Sequence, residues 1–416
     1  MTRRTGAAER TRLRRLIRRI ETRPAPRPEP PPSRGLVPAS LERTQERMTE
    51  VGGCAFLERR YPLTTRVGTQ SLLGLDQIDA GVLQVLAPRE TWAGSTGPLV
   101  ILDIEATGLS GAGIIAFLVA TAVVVGDALL LRQYIARTPA EETAVLSALL
   151  ADVDLPSDPV LVTYNGRSFD APVLDDRATM HRLRGGFASA AHLDLLPPAR
   201  LVFRDTVDSC RLKALEPAVL AFHRGEDDVP GSDVPAWYFR YLRTGDPRHL
   251  VPLVRHNAHD VLALGALLAA MGALLRGERE VPPEQALGLG RLHLKARNVP
   301  LALPWLQTAA ETLDRPLLRR EARERLAGAY KVLGRPAEAI PLWQALAAEG
   351  GPGQIAACIE IAKHLEHQQK DFAAARQATE EAIEIARQPS AAAWRQPLAH
   401  RLNRLLRRQR MVAAGG

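Results

Sequence analysis

The clearest hydrophobic segment of the chain is a short apolar run that ends in acidic residues. Residues 99–102 are all aliphatic and follow the turn-forming pair Gly97-Pro98. A short apolar run bounded by turn residues predicts a buried strand. Asp103 and Glu105 continue the run two positions apart, and alternate side chains of a strand point to the same face. The pattern therefore predicts two carboxylates side by side at the end of a buried strand.

Downstream of that strand, the hydrophobic periodicity alternates between strand-like and helix-like segments. A turn at Gly126-Asp127 separates two apolar runs and predicts a strand pair. Alternating strands and helices are typical of an α/β domain, here with a mixed sheet flanked by helices. The predicted segments are strands at 115–125 and 128–136, a helix at 141–150, strands at 160–164 and 192–196, and a helix at 255–271.

Small residues recur at a long period in the last third of the chain. Ala302, Ala339 and Ala375 lie 37 and 36 residues apart, each among apolar residues with helical spacing. Three such units within 284–388 resemble tetratricopeptide repeats, which stack paired helices and bind a protein segment in a concave groove. The resemblance implies an all-α repeat domain with a protein partner. A nucleic-acid groove and a generic helical bundle are the alternatives.

The chain has 416 residues and a net charge of +8, but the positive excess is confined to its beginning. Residues 1–34 contain eleven Arg and three Glu, which accounts for the whole excess. Six prolines at 24–33 predict an extended linker there. The tail is interpreted as a solubilising segment, or as a basic helix for an acidic surface. Nucleic-acid binding by the rest of the chain would need a local basic patch.

Cysteine content and hydropathy favour a cytoplasmic protein without a membrane span. Cys54, Cys210 and Cys358 are far apart and form no disulfide framework, which is typical of a reducing compartment. The longest apolar run, 114–125, is too short to cross a bilayer. The arginine-rich beginning lacks the apolar segment of a secretory signal.

These patterns divide the chain into five segments. A composition that is 46% hydrophobic and 24% charged is ordinary for globular proteins and allows a large core. The predicted segments are a basic, proline-rich disordered tail at 1–40, a small β-containing lead-in at 41–96, an α/β domain at 97–275, helical repeats at 282–390, and a basic helix and tail at 391–416.

Two further acids complete a group whose chemistry indicates a metal ion. Asp170 stands at the entry to a predicted helix, where N-capping is its alternative role. Asp260 lies on the late helix four residues after His256, so the two share one face, whereas His259 points elsewhere. Neighbouring buried carboxylates repel each other and are costly unless they bind a cation. Hard cations such as Mg²⁺ prefer oxygen clusters of this kind, and a strand end open to water is the alternative for the first two acids.

The order of these acids resembles that of the DEDD 3′–5′ exonucleases, which have an RNase H-like fold. The resemblance extends over about residues 97–271 and is closest to the YprB-type ribonuclease H-like family. It therefore implies an RNase H-like exonuclease domain at 97–275. Five strings carry it, at 103–111, 192–196, 228–232, 238–242 and 256–262.

The resemblance implies a metal-dependent 3′–5′ exonuclease that acts on RNA or DNA. Two Mg²⁺ or Mn²⁺ ions about 3.5–4 Å apart would stabilise both the attacking and the leaving oxygen of phosphodiester hydrolysis. The alternatives are a non-catalytic nucleic-acid-binding protein and an adaptor that recruits a partner through its repeats. The residues at the family's metal-ligand positions are Asp103, Glu105, Asp170 and Asp260, and those at its substrate-contact positions are Thr107, Gly108, Asn165 and Phe169.

One position departs from the exonuclease pattern. The relatives carry Tyr four residues, or His five residues, before the last Asp, whereas this chain has His256 and Arg255 at those places. Histidine titrates near neutral pH, so His256 is interpreted as the catalytic base or as a residue that orients the attacking water. A purely structural His256 is the alternative.

Overall fold

The computed structural model describes residues 37, 41, 43–90, 92, 97–108, 113–153, 158–225, 228–351 and 353–414. The predicted tail at 1–40 lies outside these residues except for Val37, and so do residues 109–111 of the string at 103–111. Within the described part, the chain forms a mixed sheet with flanking helices and then a run of helices, so the predicted fold class is confirmed.

Within the described residues, nine strands form two sheets. They are β1 (Gln45–Thr49), β2 (Gly52–Pro62), β3 (Arg66–Val67), β4 (Gln70–Ser71), β5 (Leu99–Ala106), β6 (Ala116–Val125), β7 (Ala128–Ile135), β8 (Val160–Thr163) and β9 (His192–Asp194). The larger sheet has the order β1-β2-β7-β6-β5-β8-β9, and β3 pairs with β4. Strand β5 pairs antiparallel with β6 and parallel with β8. The acidic strand therefore lies inside the sheet, where its antiparallel and parallel parts meet.

The earlier helices cover the sheet, and the later helices of the described part follow one another without intervening strands. The α-helices of the described part are α1 (Ala80–Leu86), α2 (Glu142–Val153), α3 (Asp170–Met180), α4 (Leu196–Phe203), α5 (Leu212–Leu215), α6 (Val234–Thr244), α7 (Val251–Leu275), α8 (Pro283–Lys295), α9 (Val299–Thr312), α10 (Pro316–Val332), α11 (Pro336–Glu349), α12 (Gln354–His364), α13 (Phe372–Ile385) and α14 (Arg395–Ala414). Helix α2 packs against β2, β6 and β7, and α7 packs against β5 and β6. On β5, Leu102 and Ile104 belong to the apolar cluster that contains α2, whereas Ile101 belongs to the cluster that contains most of α7.

The predicted β-containing lead-in at 41–96 contributes strands to the main sheet. Its strands β1 and β2 extend the main sheet, because β2 pairs antiparallel with β7 from Ala55 opposite Ile135 to Pro62 opposite Ala128. Pairing with β2 covers what would otherwise be an exposed strand edge at β7. Strands β1 and β2 are thus part of the main sheet, whereas β3 and β4 of the same segment pair only with each other.

Helix α7 is the longest apolar element of the described chain. The stretch Pro247–Leu275 is long and apolar enough by composition to cross a membrane, but 89% of its most apolar window is buried inside the protein. The sequence pattern predicts a helix only over 255–271, so the longest apolar run considered there was 114–125 and not this stretch. A helix that is apolar on all sides is buried in a core, and here the sheet and the turn Leu72–Gln77 cover it.

The helical run, which consists of α8 to α14, is joined to the sheet domain through α8. Leu289 and Leu292 of α8 belong to the same apolar cluster as Phe203 of α4. Gly288 permits this contact, because a Cβ there would lie 2.6 Å from the carbonyl oxygen of Leu201. Buried Arg291 of α8 donates to Glu321 of α10 at 2.8 Å and also to Asp205, just after α4. The two predicted domains therefore share a packed interface, while their boundary near 275–282 stays a prediction.

We expect Gly288→Ala to destabilise the protein by about 1–3 kcal/mol, because the added methyl group must push α8 away from the backbone of α4. Gly328→Ala is the matched control: Gly328 lies within α10 and a Cβ there meets nothing within 4 Å. That control should stabilise the protein by up to about 1 kcal/mol through helix propensity. Urea unfolding of both variants measures the difference, and equal midpoints would show that α8 does not pack closely on α4.

Candidate metal centre

Strand β5 presents two of the predicted acids to helix α7. Asp103 and Glu105 alternate with the buried residues Leu102 and Ile104, so they share the face of β5 on which Ile101 lies. That face is crossed by α7, whose Gly265 allows Ile101 to approach. The two carboxylates therefore point toward the helix that carries Asp260, and both are largely enclosed.

Asp170 reaches the same region from the start of α3. Its Oδ1 atom accepts a hydrogen bond of 3.2 Å from the backbone N–H of Ile104. The N-cap residue of α3 is Phe169, so Asp170 is the first helical residue and its side chain bonds across to β5. The chain enters this helix through Asn165, whose φ of 68° is left-handed and whose N–H donates to Asp194 at 2.8 Å. The turn after β8 thus positions Asp170 beside the acidic strand.

Helix α7 contributes three side chains from one face. His256 and Asp260 are one turn apart, with 3.4 Å between His256 Nε2 and Asp260 Oδ2. Asn257, three residues before Asp260, donates to Asp103 Oδ2 at 2.7 Å. The same i, i+3, i+4 spacing that grouped His256 with Asp260 could have identified Asn257 from the sequence.

A buried arginine completes the cluster and was missed by the sequence analysis. Arg224 donates to Glu216 through Nε at 2.8 Å, and its Nη2 atom also donates to Glu216 and to Asp260 Oδ1. Asp228 accepts a hydrogen bond of 2.8 Å from His256 Nδ1 and contacts Lys213 Nζ at 2.7 Å. Arg224 lies in an irregular segment, and Glu216 begins the short π-helical turn Glu216–Leu220, so no strand or α-helix period marks either residue.

Burial, together with neighbouring negative charges, raises the pKa values of Asp103, Glu105 and Asp170. Burial, followed by the charges of Asp260, Glu105 and Asp170, raises the pKa of Asp103 well above its usual value. Burial raises the pKa of Glu105 to about 8, although the His256 charge opposes this. Burial raises the pKa of Asp170 to about 7 against the hydrogen bond from Ile104. A cluster of this kind favours any cation that can neutralise it.

Burial and the neighbouring acids have opposing effects on the pKa of His256. Burial lowers its pKa, but the hydrogen bond to Asp228 and the charges of Asp260 and Glu105 prevail, so the pKa of His256 is raised. The same hydrogen bond holds the pKa of Asp228 well below its usual range despite burial. The imidazole is therefore fixed between a carboxylate on one side and the acidic cluster on the other.

The donor set fits divalent cations. In three of the four acids, a protein donor binds one carboxylate oxygen and leaves the other available. These pairs are Asp103 with Asn257, Asp170 with the Ile104 N–H, and Asp260 with Arg224. In addition, Glu105, His256 and Asp260 offer ligand atoms that all lie within 4.8 Å of one another. Oxygen-rich sites whose ligands are oriented by further hydrogen bonds are typical of Mg²⁺ and Mn²⁺ centres.

The predicted substrate contacts lie around this cluster and make local backbone contacts. The hydroxyl of Thr107 accepts from the Ile115 N–H at 3.0 Å and closes the loop that contains Gly108. Asn165 is exposed at its turn, and half-buried Phe169 packs on the core beside Asp170. The four residues thus lie close in the chain to Glu105 or Asp170, and their role as substrate contacts stays a prediction.

His259 packs against an aromatic ring and not against the acidic cluster. Its ring contacts Phe222 edge-on with 5.8 Å between centroids, and neither ring nitrogen has a hydrogen-bond partner among those residues. Burial lowers the pKa of His259 to about 4, so this imidazole is neutral.

Comparisons with known proteins agree with the fold. The family model of the RNase H superfamily matches residues 100–272. The chain is 31% identical over 340 residues to the "Uncharacterized protein YprB" of Bacillus subtilis (strain 168), covering 79% of this chain and 80% of that protein. A solved structure of the family B DNA polymerase from the hyperthermophilic archaeon Pyrobaculum calidifontis is 17% identical, with 59% of this chain and 30% of that chain covered. The TM-score of that match is 0.33.

We expect Asp103→Asn to raise the urea midpoint of the metal-free protein at pH 8. The raised pKa of Asp103 means that folding must either protonate this buried carboxyl or bury its charge among the other acids, whereas the amide avoids both costs and still offers an acceptor to Asn257. Asp175→Asn is the matched control on α3. Asp175 accepts three backbone N–H groups, from Gly186, Phe187 and Ala188, so losing its charge should cost about 1–3 kcal/mol. Changes of the same sign in both variants would contradict mutual repulsion within the cluster.

Proposed function

The chain belongs to the YprB-type family of the RNase H superfamily, and we propose that it is a metal-dependent nuclease that removes nucleotides from the 3′ end of RNA or DNA. The observation that carries the proposal is the convergence of four acids from β5, α3 and α7 in one largely buried cluster. Such a concentration of negative charge is costly to fold and is explained if it binds cations that act on a phosphodiester.

In this proposal Asp103, Glu105, Asp170 and Asp260 hold two Mg²⁺ or Mn²⁺ ions. When bound, these ions neutralise the charge that develops on the phosphate oxygens. The hydrogen bonds from Asn257 and from the Ile104 N–H orient two of the carboxylates before the ions arrive. Arg224 holds Asp260 in the same way, so the site has little freedom to lose on binding.

The bond broken in the proposed reaction is the one between phosphorus and the 3′ oxygen. Water supplies the new oxygen on phosphorus, and a nucleoside 5′-monophosphate leaves. Thr107, Gly108, Asn165 and Phe169 are proposed as substrate contacts. Asn165 has an exposed amide, and the half-buried ring of Phe169 precedes Asp170 directly, where an aromatic face can stack on a base.

Two further assignments belong to the same proposal. The helical run is a set of tetratricopeptide-like repeats that bind a protein segment, and the protein acts in the cytoplasm. Ala302, Ala339 and Ala375 support the repeat assignment, since they lie in α9, α11 and α13 and all three are fully buried. Small buried residues at equivalent places allow paired helices to approach closely.

The test is cleavage of 5′-labelled single-stranded RNA and DNA with Mg²⁺ or Mn²⁺. A 3′–5′ exonuclease should shorten these strands stepwise and leave circular single strands intact. Asp103→Asn and Asp260→Asn should each reduce the rate at least about 100-fold, because losing a ligand removes several kcal/mol of charge stabilisation. Asp127→Asn, at a side chain that is 96% exposed in the β6–β7 turn, should cleave like the wild type.

Full activity in Asp103→Asn would refute the metal mechanism. Cleavage of circular strands would replace the exonuclease assignment with an endonuclease. Metal and nucleic-acid binding without cleavage would favour the non-catalytic alternative.

A further inference from the structure

We propose that His256 is a metal ligand, and that Glu105, His256 and Asp260 form a mixed imidazole–carboxylate site that prefers a first-row transition-metal dication over Mg²⁺. The inference rests on the proposed nuclease function and assigns His256 a different role from that of catalytic base. It follows from how the two ring nitrogens of His256 are used and from which atoms each one faces.

The Nδ1 side of His256 is fully engaged. Nδ1 lies 2.8 Å from Asp228 Oδ1 and 3.2 Å from Arg224 Nη1. A lone pair on Nδ1 would accept from Arg224 but would repel the carboxylate, which is the nearer group, so the proton is assigned to Nδ1 and donated to Asp228. A carboxylate that accepts the Nδ1 proton of a histidine is the usual orienting partner of an Nε2 metal ligand.

The Nε2 side faces two carboxylates without bonding to either. Nε2 is 3.4 Å from Asp260 Oδ2 and 3.9 Å from Glu105 Oε1. Charge-assisted N–H···O bonds are about 2.7–2.9 Å long, so both contacts are too long for one. Two ligand atoms that each lie about 2.1 Å from a shared ion are roughly 3–4 Å apart, which is the spacing observed.

The environment of Nε2 also argues against a catalytic base. The side chain of His256 is 8% exposed, and its free nitrogen points inward at Glu105 and Asp260. A base needs a nitrogen within hydrogen-bond reach of a water or substrate proton. Here the groups that Nε2 faces are carboxylates whose own role is to bind a cation.

The neighbouring charges shape the site for a softer ion. Arg224 donates a hydrogen bond to Asp260 Oδ1 and leaves Oδ2 available for the ion. Glu216 accepts a second hydrogen bond from Arg224 and helps to neutralise the guanidinium charge. One imidazole nitrogen with two carboxylate oxygens carries less negative charge than an all-carboxylate site. Imidazole ligands favour transition-metal ions, whereas Mg²⁺ prefers oxygen alone.

The test uses the metal-stripped full chain with Co²⁺ as the probe. A histidine bound through Nε2 keeps its Nδ1 proton next to the paramagnetic ion, so proton NMR in H₂O should show one strongly shifted resonance that disappears in D₂O. His256→Gln should lack this resonance. His259→Gln is the matched control on the same helix and should retain it, since His259 packs on Phe222 away from the acids.

Affinities measured by calorimetry add a second readout. Asp228→Asn should weaken Co²⁺ binding about 10–100-fold, as expected for the loss of an orienting partner. His256→Gln should lower the ratio of Co²⁺ to Mg²⁺ affinity at least about tenfold.

The spectrum of the wild-type protein tests the ligand assignment even if a variant fails to fold. Bound Co²⁺ without a shifted exchangeable proton would overturn the ligand assignment, and so would a resonance that persists in folded His256→Gln. If in addition Asp103→Asn abolishes cleavage, the nuclease proposal stands and only the role of His256 falls. If Co²⁺, Mn²⁺ and Mg²⁺ all fail to bind, both proposals fall.

Discussion

The concentration of buried negative charge between β5 and α7 is the constraint on which the rest of the site depends. Asp103, Glu105, Asp170 and Asp260 come from three elements, and the first three have raised pKa values because burial and mutual repulsion disfavour their charges. Buried like charges are tolerated only with compensating partners. The protein supplies one donor to each of three carboxylates, and this leaves the second oxygen of each to be neutralised by another partner. The proposed cations would supply that neutralisation.

Helix α7 serves the core and the site together. Its second half is buried on all sides between the sheet and the turn Leu72–Gln77, which fixes its axis. Its first half places His256, Asn257 and Asp260 against β5. Because the helix is continuous, no loop separates these residues from the buried second half. Functional groups on a rigid element keep their geometry better than groups on loops. This explains how one apolar helix, mistakable by composition for a membrane span, can hold the polar centre of the molecule.

The helical run is connected to this scaffold by packing as well as by the chain. Close approach at Gly288 and the bridge from Arg291 to both Asp205 and Glu321 tie α8 to the sheet domain and to α10. Burial alone would raise the pKa of Glu321, but hydrogen bonds from Arg291 and Arg325 lower it to about 2. A group with a depressed pKa contributes stability above its unfolded pKa and loses it as the pH falls. The bridge thus holds at neutral pH and weakens only in strong acid.

The sequence by itself determined the features that have a short period. Alternation placed Asp103 and Glu105 on one face of β5, and four-residue spacing placed His256 and Asp260 on one face of α7. The order of strands and helices indicated the mixed α/β sheet. The remaining features depend on contacts between residues far apart in the chain, which leave no periodic trace. Arg224 meets Asp260 across 36 residues and Asp228 meets His256 across 28, both from irregular segments. Only the tertiary structure could add β1 and β2 to the main sheet and direct Nε2 of His256 toward two carboxylates, because both depend on how separately formed elements pack.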